Sequence, residues 1–93
     1  MEVSELRTMD PRMIRVIEAI GTEVISRRGI CGNMEVRARK NLWELYMTPS
    51  MQQGYVRFLY PEHPNSPDQK YLLTDKGMEV YKALQEKAKG AAV

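Results

Sequence analysis

Apolar positions recur along this chain first at helical spacing, then in two short runs rich in aromatic and β-branched residues, then at helical spacing again. Met13, Ile17 and Ile20 fall three or four residues apart with Ile14 beside them, the spacing of one helix face. Asp10 can cap the free N–H groups, Pro11 suits the first helical position and Gly21 offers a stop. Helix 1 is therefore expected from Asp10 to Ile20. Thr22 can cap a short helix 2 through Glu23, Val24, Ile25, Ser26 and Arg27, closed by Gly29, with a second glycine at Gly32. Fusion of the two stays open, because a mid-helix glycine costs only about 1 kcal/mol. Asn33 can cap helix 3, which sets Met34, Ala38, Leu42, Leu45 and Tyr46 on one face and Arg37, Lys40, Asn41 and Glu44 on the opposite one. Pro49 kinks or restarts that helix, with Thr48 as a new cap, and Gly54 ends it.

The period then changes. Tyr55 to Tyr60 and Lys70 to Thr74 read as the two strands of a hairpin. Pro61, Pro64 and Pro67 keep the segment between them out of helix and paired strand while leaving it stiff. A projecting loop fits its length better than a tight turn. Thr74-Asp75-Lys76-Gly77 starts a last amphipathic helix carrying Met78, Tyr81, Leu84 and Ala88, up to Gly90. The first nine residues read either as an arm or as an added helical turn, and residues 91–93 as a frayed tail. No internal repeat is visible, and the expectation is one domain over residues 1–93.

This order predicts an α+β fold of the winged helix-turn-helix kind, with three helices, a two-stranded wing hairpin and a C-terminal helix. The segment Met47 to Gly77, MTPSMQQGYVRFLYPEHPNSPDQKYLLTDKG, narrows the comparison. It resembles the C-terminal winged-helix module of some Fic (filamentation induced by cAMP) proteins and of helicase-related regulators of the RecG-like class. The resemblance rests on Pro49 before Gly54, on Pro61, Pro64, Asn65 and Ser66 in the wing, and on Gln69-Lys70-Tyr71 followed by Leu73, Thr74 and Gly77. Such a module implies DNA contact, with helix 3 in the major groove and the wing against the backbone or minor groove. The large domains that ordinarily precede it have no counterpart here, so AMP transfer or ATP hydrolysis does not carry over. Protein-docking versions of the fold exist as well.

Composition changes this picture little. In 93 residues there is room for one small core, and 43% hydrophobic against 28% charged residues is ordinary for a folded protein. A net charge of +2 makes no case for nucleic acid by itself. With one cysteine, Cys31, and one histidine, His63, neither a disulfide nor a structural zinc site is expected. The absence of a signal peptide or membrane span points to the cytoplasm. No cofactor is implied.

Local clustering says more. Arg27, Arg28, Arg37, Arg39 and Lys40 gather five cations around the proposed turn and helix 3, with Glu35 as the acid among them. Long donors of this kind suit phosphate, and Asn41 can read a base edge; a solvated helix face is the plainer alternative. Arg57, His63 and Lys70 would make a basic wing, opposed by Glu62 and Asp68. Cys31 with His63 as nucleophile and base is a weak pairing, and an inert buried thiol is favoured. Trp43, Tyr46, Tyr55, Phe58, Tyr71 and Tyr81 are read as packing rather than as a stacking platform for single strands. The expected partner is double-stranded DNA, bound without enzymatic activity; docking onto a protein is the alternative. A homodimer is expected through Val80, Tyr81, Leu84 or the segment Val3 to Met9.

Overall fold

A computed structural model of the chain describes residues 3–36 and 40–91. A short helix α1 (Val3–Thr8) comes first and buries Leu6. In α2 (Pro11–Ile20) the Asp10 carboxylate accepts the Arg12 N–H at 2.9 Å, with Pro11 behind it. This helix turns Val16, Ile17 and Ile20 into the core. Gly21 stops it at φ 55°, a left-handed value, and a Cβ there would also crowd the Tyr81 ring at 3.3 Å.

The second helix differs from expectation. Residues 22–24 form a turn, and Ile25 and Ser26 form strand β1 (Ile25–Ser26), paired antiparallel with Tyr71 and Lys70. Helix α3 (Arg27–Met34) follows, capped by Ser26, whose Oγ accepts the Gly29 N–H at 3.2 Å. Gly29 and Gly32 lie inside this helix rather than ending it. At Gly29 a Cβ would meet Ile25 Cγ1 at 2.6 Å, so the glycine lets the first turn of α3 close on β1. The helix stops instead at Glu35, left-handed at φ 59°, with its N–H donating to Gly32 O and that of Val36 to Cys31 O. Asn33 is therefore no cap; its side-chain Nδ2 donates to Ala19 O at 2.9 Å and ties α3 to the end of α2.

Helix α4 (Lys40–Gln52) starts later than Asn33 and runs through Pro49 without restarting. Pro49 has no N–H to donate to the carbonyl of Leu45, so the ladder loses one bond there. The buried Ser50 hydroxyl donates back to Tyr46 O at 2.9 Å. The later start rotates the helix relative to the expected face: Leu45 is 51% exposed, while Trp43 and Met47 are buried. Met34 belongs to α3, and Ala38 lies outside the described residues.

Strands β2 (Val56–Phe58) and β3 (Lys70–Leu73) form the expected hairpin, and β1 adds a third strand that the hydrophobic pattern did not announce; the order is β1-β3-β2. Val56 faces Leu73 and Phe58 faces Tyr71, and this inner face packs on the helices. Tyr71 holds Trp43 edge-on at 5.2 Å and Phe58 at 5.5 Å between ring centroids. The central aromatics are thus core. Helix α5 (Asp75–Ala91) follows Thr74, whose Oγ1 donates to Gly54 O and accepts the Gly77 N–H. Val80 of α5 is fully buried and Tyr81 and Leu84 are half-buried, so Val80 belongs to the core and offers no surface for a second copy. The fold is α+β and winged-helix: three helices, a three-stranded sheet with its wing, a C-terminal helix and the extra α1.

Candidate nucleic-acid interface

Three elements frame one open groove of about 610 Å³: the start of α3, one side of α4, and the wing between β2 and β3. Trp43, Met47, Met51, Phe58 and Tyr71 supply an apolar floor, and Ser26, Arg28, Thr48, Asn65 and Ser66 supply much of the polar rim. Arg27, the first residue of α3, lies across the floor with its guanidinium carbon 5.0 Å from the Trp43 ring centroid, a cation–π distance. Its neighbour Arg28 is exposed.

Arg37 and Arg39 lie outside the described residues, and Lys40 opens α4 with its side chain outside them too. Asn41 is exposed on α4. With Glu44, Leu45, Thr48 and Gln52, also exposed, it recurs at i, i+3, i+4, i+7 and i+11, which is one stripe along the helix. That stripe has no Lys or Arg. The sequence pattern sets Glu44 beside Asn41 on the polar face, but a face counted from Asn33 assigns Leu45 to the core, so the whole stripe is not legible from it.

The remaining candidates separate. Arg57 and Lys70 are exposed on β2 and β3, alternating with Phe58 and Tyr71 that line the groove, so they stand on the outer face of the sheet. His63 is exposed in the wing. The wing itself is ordered by three successive turns, in which His63 N donates to Tyr60 O, Ser66 N to His63 O and Gln69 N to Ser66 O, each at 3.1 Å. Pro61, Pro64 and Pro67 occupy the second position of each, where proline's fixed φ suits a turn. The period of three in these prolines was the readable signal for that array.

On the far side of α2, Arg15 clamps two helices, donating to the Tyr46 hydroxyl at 3.0 Å and to Met34 O. Cys31 is buried and burial pushes its thiol up from the ordinary 9.0, against a smaller opposing pull from Arg27; a thiol held protonated is a poor nucleophile. Among the described residues no group of His, Cys, Asp and Glu could hold a metal ion, and no helix is long and apolar enough to cross a membrane.

Comparison with known proteins agrees with this architecture. A crystal structure of a Fic family protein from Desulfovibrio desulfuricans G20 superposes with a TM-score of 0.68 at 26% sequence identity, covering 78% of this chain and 22% of that one. The chain thus spans less than a quarter of that protein's length. No curated protein matches it. The sequence profile described as "Filamentation induced by cAMP protein Fic-like, C-terminal domain" matches residues 11–74, well over half of the sequence, and the chain belongs to that family.

Proposed function

We propose that this module binds duplex DNA, presenting α4 to the major groove, and that it acts by binding rather than by catalysis, as a small transcriptional regulator. The observation that carries this reading is the composition of the exposed α4 stripe beside a rim that bears Arg28. A merely solvated helix face is typically built from Lys and Glu; this one offers Asn41, Gln52 and Thr48 as paired or single hydrogen-bonding groups, Glu44 as an acceptor for cytosine and Leu45 for a thymine methyl. Readers on the helix with a cation on the adjoining rim is the division of labour that groove recognition requires. Arg28, at the start of α3 on the groove rim, is suited to a phosphate.

Two variants test this. Arg28→Ala should weaken binding to all duplexes alike and lower the slope of log affinity against log salt by about one. Asn41→Ala combined with Gln52→Ala should cost roughly 1–3 kcal/mol per reader at a preferred site and little on random sequence. A parent chain with no affinity for mixed duplex DNA at low salt would sink the proposal.

The apolar floor favours a second reading, a protein-docking module in which Trp43, Met47, Met51 and Phe58 receive a partner's side chains. Binding that is insensitive to salt and lost in Met51→Ser would favour docking over DNA.

A further inference from the structure

Gln69 is one of two buried polar side chains among the described residues, at 7% exposure, and its amide is fully used. Oε1 accepts the N–H of Tyr60 at 2.9 Å and that of Lys70 at 3.2 Å. Nε2 donates to the carbonyls of Tyr60 at 2.7 Å and His63 at 2.9 Å. Two donors and two acceptors are all that such an amide can engage.

The position explains the pattern. The β2–β3 ladder ends where Leu59 N donates to Lys70 O at 2.9 Å. One residue further on, the Gln69 side chain takes the N–H of Tyr60 and supplies a donor to its C=O, as an opposing strand residue would. Its second donor reaches His63 and ties down the first of the three turns. Asn65 and Ser66, beyond that tie, line the groove together with Pro64 and Pro67 on either side of them.

We infer that Gln69 is the positioning residue of the wing: its amide holds residues 61–68 in one conformation, so that Asn65 and Ser66 stand ready against α4 and binding does not have to order them. Gln69 acts through Asn65 and Ser66, from a buried place at the edge of the groove. Its effect on affinity rests on the DNA reading above, whereas the pinning itself does not.

Removing the amide would free the loop, and ordering it again on binding would weaken affinity by roughly tenfold. The experiment combines amide hydrogen exchange with duplex titration at low salt for the parent chain, Gln69→Ala and Gln69→Glu. In Gln69→Ala the amides of Tyr60, His63 and Lys70 should exchange at least about tenfold faster while those of Ile17 and Val80 keep their rates. Gln69→Glu retains the acceptors but loses the donors, so it should release His63 and weaken binding in the same direction. Should Gln69→Ala not fold, Pro64→Ala with Pro67→Ala loosens the same exposed loop and should speed exchange over residues 60–69. Unchanged exchange across the wing in the folded variants overturns the inference. So does faster exchange with full duplex affinity. A parent that binds no duplex overturns the DNA reading instead, and the exchange arm still decides the pinning.

Discussion

A Cβ on Gly77 would stand 2.1 Å from the carbonyl oxygen of Tyr55 and 3.2 Å from Leu73 Cβ. The same carbonyl accepts the Thr74 N–H at 3.0 Å, so it has little freedom to retreat. Helix α5 therefore begins by pressing its backbone against the residue that leads into β2, and glycine is what allows the approach. Gly32, by contrast, sits inside α3 with nothing within 4 Å of an added Cβ. Gly77→Ala should cost about 2–3 kcal/mol, near the upper range for forced overpacking. Gly32→Ala should instead stabilise the chain by about 0.4–1 kcal/mol, through a less flexible unfolded chain. Urea unfolding of both variants checks the pair. The Leu-Thr-x-x-Gly pattern is legible as a helix start, but the reason for its glycine lies in Tyr55, twenty-two positions earlier in the chain and brought against it only by folding.

 Such a contact joins backbones far apart in the chain and leaves no local mark in the hydrophobic pattern.

At the scale of elements, the legible parts are those whose signals are local. The Asp10-Pro11 cap, the hairpin strands and the proline-stiffened wing were all readable because each rests on residues adjacent in the chain. Strand β1 was not, since two residues carry no period and Ile25 becomes strand by pairing with Tyr71. Nor was the division between α3 and α4: Glu35 takes a left-handed conformation that glycine ordinarily marks, and both nearby glycines are helical. The candidate site suffered with it. Its α4 stripe became visible once the helix was known to start at Lys40, while the Arg28 side of the rim was readable from charge alone. The register makes a sharp prediction. Leu45→Ala should change stability by about 0.5 kcal/mol or less, as exposed substitutions do, and Met47→Ala should cost about 2–5 kcal/mol, as buried truncations do. Thermal and urea unfolding would show this order reversed if Leu45 faced the core.

For the whole molecule, one core joins all five helices and the sheet, and ionisable side chains, Cys31 and Tyr71 among them, are part of it. Cys31 on α3 and Tyr71 on β3 both have their pKa values raised, from 9.0 and 10.0, first by burial and then, in the opposite direction, by the charge of Arg27. Burial wins at both, so the folded chain holds these protons more tightly than the unfolded one. The sign follows from linkage: between the unfolded and the folded thiol's values the unfolded state has released its proton and the folded state has not, so unfolding gains as pH rises across that interval. The stability these groups contribute is complete below pH 9 and is lost as pH climbs through their folded values, the thiol acting first and the phenol after it. Unfolding free energies measured by urea from pH 7 to 11 should therefore decline above about pH 9. Cys31→Ala should flatten the earlier part of the decline and Tyr71→Phe the later part, each relative to its own value at pH 7. A Cys31→Ala curve parallel to that of the parent between pH 8 and 10 would show that the thiol ionises as readily in the folded chain as in the unfolded one, and that the core around α3 is open to water.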